Sequence, residues 1–318
     1  MRILKTEQYI NEKLNIQPVT KDRFSKFKEE PSVDGKTRQF IKDNNLIWNP
    51  KTMCYDCEGY VKVSEDIVSG GKLKIRFGNV GGYFDCDENH LTSLEGAPKK
   101  VGGYFGCNNN NLTSLKGAPQ KVGGHFVCIS NNLTSLEGAP KEVGGNFYCT
   151  NNHLTTLEYA PQEVGRDFDC GGNNLTSLKG APQKVDGYFN CNKNELTTLK
   201  GAPNMVGRSF YCDYNKLTTL EGAPNVVGAD FICSNNELTS LEGAPQKVIG
   251  DFNCSVNELT TLEGAPNEVG GFFYCIRNNL TTLKGAPQKV GGDFYCRNNP
   301  NLVLPKCKPS WVKGEIIS

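Results

Sequence analysis

The chain has 318 residues, enough for two ordinary domains, and a net charge of +1 from 35 basic and 34 acidic residues. This balance gives no general attraction to nucleic acid or to an anionic membrane. No apolar run reaches the length of a membrane span, and the amino terminus lacks the apolar core of a signal peptide. We therefore expect a cytoplasmic protein with neither a nucleic-acid partner nor a membrane partner.

Residues 1–58 show no internal repeat and carry short helical signals. The pattern predicts helices over residues 6–14, 21–27 and 36–44, and Trp48-Asn49-Pro50 ends the helical part. We expect a small helical cap at this end of the molecule. Because few of its positions are apolar, a separate activity in this segment is the less favoured interpretation.

Cys54 and Cys57 form the only C-x-x-C pair of the chain. A structural zinc site needs two more ligands at a suitable spacing, and none is evident. Gly35-Lys36-Thr37 ends like a phosphate-binding loop but lacks the earlier glycine and the preceding strand. We expect no metal ion, no cofactor and no catalytic residue, and we interpret the two cysteines as a packed pair in the cap.

Residues 59–79 predict a β-hairpin that covers the first repeat. Val61 and Phe77 belong to two runs in which apolar and polar residues alternate around Ser69-Gly70-Gly71. At the other end, residues 305–318 add apolar side chains, and we expect them to form a short carboxy-terminal cap.

Residues 80–304 contain eleven 21-residue repeats, marked by a cysteine every 21 residues from Cys86 to Cys296. Self-similarity at this period predicts a solenoid in which each repeat is one coil. In Phe105-Gly106-Cys107, as in every repeat, apolar residues alternate as in a strand with one buried face, so Phe and Cys should point inward. Asn110 recurs at a fixed offset, and its amide is expected to satisfy backbone groups of a turn.

The eleven repeat cysteines are expected to be reduced and buried. Parallel strands lie about 4.8 Å apart, whereas a disulfide needs Cβ atoms about 3.8 Å apart, so straight neighbours fit poorly. His125 and Cys128 should point to opposite sides of their strand, which argues against a nucleophile pair. Reduced thiols are typical of a cytoplasmic protein.

The repeat reads V-G-G-x-F-x-C-x-x-N-x-L-T-x-L-x-G-A-P, so that Gly102, Phe105, Cys107, Asn110 and Leu112 occupy the positions of an L-x-x-L-x-L-x-x-N-x-L core. This resembles the leucine-rich repeat family, with Gly, Phe and Cys in place of three leucines. The short period looks like that of secreted bacterial effectors, and the variant looks like uncharacterised repeat proteins of tailed bacteriophages. The resemblance implies a β-rich, right-handed solenoid with a parallel strand ladder, a curved binding scaffold and no chemistry.

The residues that flank the inward strand positions vary between repeats, and the resemblance places them on the concave binding surface. Four positions per repeat give nine acids against three bases, interleaved with tyrosines. Tyrosines on rigid strands supply contact area, and an acidic field favours a partner protein with a basic or mixed polar surface. The predicted binding residues are Tyr211, Tyr214, Asp230, Ile232, Asp251, Phe272, Tyr274, Ile276, Arg277, Asp293, Tyr295 and Arg297.

These observations predict a non-enzymatic protein-binding scaffold, encoded by a phage and acting on a host or phage protein in the bacterial cytoplasm. Two alternatives stay open. In the first alternative, the chain is a structural or virion-associated protein that assembles through its ends. In the second, the repeats are an arm that targets an activity located in residues 1–58. Variation on the strand face also has a simpler interpretation, relaxed constraint on residues that face solvent. The oligomeric state is not predicted.

Overall fold

The backbone coils because each repeat has two short strands that pair with their equivalents in neighbouring repeats, with one break in the second set of strands. The computed structural model describes residues 29–318. Phe105 pairs in parallel with Phe126, and Val101 pairs with Val122, 21 residues further along the chain in each case. Equivalent residues are therefore stacked in columns, and the chain forms a β-solenoid whose main sheet has 13 strands. The predicted solenoid is confirmed.

The strands that begin with the repeat phenylalanine form this 13-stranded sheet, which we name the phenylalanine ladder. Its neighbouring strands run parallel, as predicted. One irregular strand extends the eleven repeat strands at each end. The strands are β3 (Val61–Lys62), β7 (Phe84–Asp85), β9 (Phe105–Gly106), β11 (Phe126–Val127), β13 (Phe147–Tyr148), β15 (Phe168–Asp169), β17 (Phe189–Asn190), β19 (Phe210–Tyr211), β21 (Phe231–Ile232), β23 (Phe252–Asn253), β25 (Phe273–Tyr274), β27 (Phe294–Tyr295) and β28 (Ile316–Ile317).

A second set of strands forms the valine ladder, which consists of a 7-stranded and a 6-stranded sheet. All of them end on a valine except β1 and β2, which pair antiparallel with each other. The sequence analysis assigned no strand here, because two residues before a Gly-Gly pair show no alternation. The strands are β1 (Ile47–Asn49), β2 (Cys54–Cys57), β6 (Phe77–Val80), β8 (Lys100–Val101), β10 (Lys121–Val122), β12 (Glu142–Val143), β14 (Glu163–Val164), β16 (Lys184–Val185), β18 (Met205–Val206), β20 (Val226–Val227), β22 (Lys247–Val248), β24 (Glu268–Val269) and β26 (Lys289–Val290).

The valine ladder is interrupted between β14 and β16, next to Asp186. Most repeats carry glycine at this position, and a Cβ added to Gly165 would lie 2.2 Å from the carbonyl oxygen of Gly144 in the repeat before it. Asp186 brings such a Cβ, and β14 and β16 are not paired. Ile249 makes the same replacement, but there β20 and β22 remain paired, so the added Cβ alone does not account for the interruption.

The interior is a continuous stack of phenylalanine rings from Phe84 to Phe294. Neighbouring rings have centroids 5.0 to 5.7 Å apart and interplanar angles of 5 to 21°. Such pairs attract one another beyond the area that they bury. Phe77 meets one end of the stack edge-on at 4.9 Å, and Trp311 meets the other at 5.3 Å, so a ring closes each end.

Cysteines and leucines fill the rest of the interior. Cys107, Leu112 and Leu115 are fully buried, as are their equivalents in most repeats. The thiol of Cys107 donates to the carbonyl oxygen of Val127 in the next repeat at 3.6 Å, and most repeat cysteines make the same contact. All eleven repeat cysteines are buried and free of disulfides, as predicted, and burial raises the pKa of their thiols.

The repeat asparagine bridges two neighbouring coils. Asn110 Nδ2 donates to the carbonyl oxygens of Cys86, Cys107 and Asn108 at 2.9, 3.2 and 3.0 Å. Its Oδ1 accepts from the backbone N–H groups of Asn89 and Leu91 at 3.1 and 2.8 Å. The predicted turn role is confirmed, and the amide also joins each coil to the one before it.

The Gly-Ala-Pro corner requires a left-handed backbone. Gly117 and Gly138 have φ values of 95° and 93°, and a Cβ added to Gly138 would lie 2.5 Å from the backbone of Leu115. Tyr159 replaces this glycine in one repeat and keeps a positive φ of 71°. A side chain at such an angle is strained, so this corner is the least favourable of the array.

The amino-terminal cap contains α1 (Gly35–Asp43), close to the helix predicted over 36–44. The Asp34 carboxylate accepts the backbone N–H of Thr37 at 2.9 Å, and hydrogen bonds from Thr37 lower the pKa of Asp34 to about 2. The two other predicted helices lie outside the described residues. The predicted cap is helical only in part, because β1 and β2 follow α1 and join the valine ladder.

The hairpin predicted over 59–79 is smaller than expected. Only β4 (Val68–Ser69) and β5 (Lys72–Leu73) pair antiparallel, after a 3-10 turn at Glu65–Ile67. The flanking strand β3 pairs instead with β7 of the first repeat, on the phenylalanine ladder. β6 ends on Val80, the valine of the first repeat, and pairs with β2 and β8 on the valine ladder. At the other end β28 pairs with β27, and the buried Val312 bridges Val290. Both ends are therefore incomplete coils that continue the repeat pattern.

Candidate binding face

The strand face consists of the residues that alternate with the inward-facing phenylalanines and cysteines. In one repeat these are the residues immediately before and after the phenylalanine and the two residues after the cysteine. Because the register is unshifted, each of these positions forms a column with neighbours about 4.8 Å apart. All twelve predicted binding residues lie on this face, in its last five repeats.

Three rings form an aromatic cluster at the carboxy-terminal end of this face. Tyr274 and Tyr295 occupy equivalent positions in neighbouring strands and stack at 4.8 Å with an interplanar angle of 15°. Phe272 lies 6.0 Å from Tyr274 and 6.1 Å from Tyr295, with tilted and edge-on rings. The Phe272 side chain is 38% exposed, which is high for a phenylalanine. The three rings that the sequence placed in one cluster therefore lie together, and each ring contacts the other two.

Two arginines and an isoleucine flank the aromatic cluster. Arg277 and Arg297 are exposed, whereas Ile276 is half-buried and donates its backbone N–H to Ser255 Oγ at 3.1 Å. Among residues 29–318 neither arginine has a carboxylate within ion-pair distance. Burial and the neighbouring Asp293 raise the pKa of Tyr295, and the charge of Arg297 opposes that shift. Both guanidinium groups are thus available to a partner.

The predicted aspartates hold the backbone of the next repeat. Asp230 Oδ1 accepts from the N–H of Asp251 at 2.9 Å, and Asp251 Oδ1 accepts from that of Phe272 at 2.8 Å. Asp293 Oδ1 likewise accepts from Glu315 N at 2.9 Å. Sequence analysis assigned these carboxylates to partner binding alone and missed this role. They still contribute negative charge to the face, because none of them has a basic partner in the described part of the chain.

The remaining predicted residues lie apart from the aromatic cluster. Tyr211 is half-buried and meets Tyr188 edge-on at 6.1 Å. Ile232 follows Tyr211 in the same column and is also half-buried. Tyr214 is 54% exposed and has a positive φ of 53°, at the turn after the strand.

The structure adds two residues that the prediction did not select. The rings of Tyr148 and Tyr188 stack with centroids 6.3 Å apart, although the two residues lie two repeats apart. Tyr188 also contacts Tyr211 edge-on. The Tyr148 hydroxyl donates to Asp167 Oδ2 at 3.2 Å. Burial raises the pKa of both tyrosines above the ordinary value, so they stay neutral donors at physiological pH. Their aromatic character and their face positions were visible in the sequence, but contact across an intervening repeat was not.

His125, Cys128 and the Cys54–Cys57 pair, which the sequence analysis weighed as nucleophiles or metal ligands, lie within residues 29–318. No group of three or more His, Cys, Asp or Glu side chains in this range has the geometry of a metal site. His125 Nδ1 accepts the backbone N–H of Asn146 at 2.9 Å, while Cys128 is fully buried. Cys54 and Cys57 are buried on β2. No helix in this range has the length and apolarity needed to cross a membrane.

No protein family model and no curated protein matches the sequence. Among solved structures, YopM from Yersinia enterocolitica WA-314 aligns over 77% of this chain and 63% of its own length, with 20% identity and a TM-score of 0.55. The present chain therefore spans less than two thirds of that protein. A second solved structure, described as the leucine-rich effector protein YopM from Yersinia pestis, aligns over 91% of this chain and 96% of its own, with 16% identity and a TM-score of 0.43.

The chain has a leucine-rich repeat fold. The first alignment and the 21-residue coils agree on this point. Within this leucine-rich repeat solenoid, the strand face is the surface on which the sequence varies most between coils.

Proposed function

We propose that this leucine-rich repeat solenoid is a non-enzymatic scaffold that binds another protein through its strand face. The observation that carries the proposal is the aromatic cluster of Phe272, Tyr274 and Tyr295, held on neighbouring strands and partly exposed. Aromatic residues on a rigid frame are typical anchors of protein interfaces, because little side-chain freedom is lost when they bind. Arg277 and Arg297 add charged groups beside it.

The charge of the face indicates the kind of partner. Nine acids against three bases make it acidic, although the whole chain has a net charge of only +1. Within the described residues Asp85 is the one face acid in an ion pair, with Lys62 at 3.9 Å. Such a field repels the phosphate backbone of nucleic acid and favours a protein with a basic or mixed polar surface.

We also propose that the protein acts in the reducing cytoplasm of a bacterial cell and is encoded by a phage. The first part is supported by fourteen cysteines without a disulfide, thirteen of them buried. The phage origin is supported by the resemblance of the repeat to those of tailed-phage proteins.

Affinity purification from the native host tests the binding proposal. The double variant Tyr274→Ala with Tyr295→Ala should capture the partner in markedly lower yield, because it removes two stacked anchors. The control is Met205→Ala with Val226→Ala, an exposed pair on neighbouring strands of the valine ladder. The control should capture the same partner as the unmodified protein. Equal yields from all three proteins would refute the assignment of the binding site.

A second candidate function, assembly through the ends, is favoured by the terminal strand β28. It is the last strand of the phenylalanine ladder, and both of its isoleucines are only half-buried. An open strand edge is a template for pairing with another chain. Sedimentation of the purified protein over a range of concentrations distinguishes the two functions, because end-to-end assembly predicts growing species and Ile316→Lys should abolish them.

A further inference from the structure

The arginines of the repeat array occur at few positions. Residues 80–304 contain four of them, Arg166, Arg208, Arg277 and Arg297, whereas lysine provides the other strongly basic side chains. The last two belong to the binding face described above. The first two occupy the second glycine position of V-G-G in their repeats, where eight of the eleven repeats have glycine. This position lies at the corner between the valine ladder and the phenylalanine ladder.

Arg166 and Arg208 stand on either side of Gly187. The Gly187 N–H donates to the carbonyl oxygen of Arg166 at 3.0 Å, and its carbonyl oxygen accepts from Arg208 N at 3.0 Å. The two arginines are therefore two coils apart, about 10 Å between their backbones. Both side chains are exposed, and both line an open cavity of about 330 Å³ together with Asn146, Gly165, Asp167, Asp186 and Gly187. We name this cavity the arginine slot.

The floor of the arginine slot has to be glycine. Asp167 Oδ1 accepts the backbone N–H of Tyr188 at 3.0 Å, which places the carboxylate beside residue 187. A Cβ on Gly187 would lie 1.9 Å from that oxygen. A side chain at residue 187 would have to displace the Asp167 carboxylate from this hydrogen bond and would crowd the Arg166 carbonyl carbon at 2.7 Å, so glycine keeps the space between the two arginines open.

The two guanidinium groups lack an anionic partner in the described part of the chain. None of its ion pairs involves Arg166 or Arg208. Two carboxylates also line the slot. Asp186 pairs with Lys184 at 2.7 Å, which offsets its charge. Asp167 accepts from Tyr188 N and from the Tyr148 hydroxyl, both neutral donors, and keeps its negative charge. The cavity is therefore lined by two guanidinium groups against one carboxylate without a basic partner.

We propose that the arginine slot binds a phosphate monoester carried by a side chain of the partner protein. A phosphate monoester has a charge of about −1.5 to −2 at pH 7, which two guanidinium groups can match with paired hydrogen bonds. A carboxylate offers half that charge. The slot lies at the margin of the strand face, so the statement that the phosphate belongs to a partner protein rests on the proposed function. The binding of a phosphate monoester to the slot is independent of that function.

Nuclear magnetic resonance of the arginine side chains tests the inference without the partner. The chain has eight arginines, so a sample labelled with ¹⁵N-arginine gives few Nε–H signals. The probe is phosphoserine with both ends blocked, titrated at constant ionic strength. We expect the Arg166 and Arg208 signals to shift together, with a shared dissociation constant on the order of 1 mM.

Variants that restore the consensus glycine separate binding from folding. Arg166→Gly should weaken the response of the Arg208 signal at least tenfold, and Arg208→Gly should do the same to Arg166. The control, Arg277→Gly, should leave both signals responsive. Binding should also weaken as the pH falls below about 6, where the monoester gains a proton.

Four results would overturn the inference: no shift at either arginine, equal shifts at all arginine signals, an Arg208 response that survives Arg166→Gly, or a response to inorganic phosphate or acetate as strong as that to blocked phosphoserine. Each of these leaves the partner-capture experiment on Tyr274 and Tyr295 unaffected. The failure of this inference and the failure of the proposed function are therefore distinguishable.

Discussion

Replacement of Asn110 by alanine measures how strongly the asparagine column joins neighbouring coils. The side chain is 6% exposed and makes contacts to three carbonyl oxygens and two backbone N–H groups. Its amide has two hydrogens, so the three carbonyl contacts amount to about two full hydrogen bonds, and Oδ1 adds two more. At about 1 kcal/mol net for each bond, Asn110→Ala should lower the free energy of unfolding by about 4 kcal/mol.

The assay combines urea unfolding with hydrogen exchange. The N–H groups of Asn89 and Leu91 lose their acceptor, so a peptide that contains them should exchange faster by up to about a thousandfold, the equivalent of 4 kcal/mol. The neighbouring Asn111→Ala is the matched control, because the Asn111 side chain is exposed and shares none of the hydrogen bonds of the Asn110 side chain.

The control should change the free energy of unfolding by less than about 0.5 kcal/mol, as is usual for a surface substitution. Equal effects of the two variants would refute the reasoning, because they would show that the buried amide contributes no more than an exposed one. Unchanged exchange at Asn89 and Leu91 in Asn110→Ala would refute it as well, since the bonds between coils would then be unnecessary for protection.

Three further predictions concern the core, the thiols and the strained corner. Phe189→Ala should lower the stability by about 3 to 5 kcal/mol in urea unfolding, because the ring is fully buried between neighbours at 5.4 and 5.5 Å; an unchanged midpoint would contradict an inward ring. A thiol reagent in native buffer should label Cys307 rapidly and the thirteen buried cysteines only on unfolding. Rapid labelling of eleven or more sites would contradict the buried column. Tyr159→Gly should raise the stability by about 1 kcal/mol in the same urea assay, since it relieves a residue at φ 71°, whereas Gly138→Ala should lower it.

The sequence was sufficient for the columns because a strict period leaves little choice of register. Once Cys86 and Cys107 are stacked, the positions of Phe84, Phe105 and the asparagines follow, and the structure confirms them. The pairing of Tyr274 with Tyr295 follows from the same period. Each of these inferences needs only the sequence of one repeat and the 21-residue period.

Other features depend on contacts that a single repeat does not contain. Val61 and Phe77 alternate with polar neighbours as hairpin strands do, but alternation does not identify the pairing partner. The strand of Val61 pairs with β7, and the strand of Phe77 pairs with β2 and β8. The second role of Asp251 requires the N–H of Phe272 in the next coil. The arginine slot requires that Asp167 exclude a side chain from Gly187, a contact visible only in three dimensions.

The ring stack and its edge-on ends have a consequence for how such a chain changes length. Each interior coil meets its neighbours through the same phenylalanine contact, while only Phe77 and Trp311 make the terminal contacts. Removing or duplicating one whole 21-residue unit, for example by recombination between neighbouring units of the gene, would restore an equivalent junction and leave both termini intact. Gain or loss of any other number of residues would put polar side chains into the column of rings.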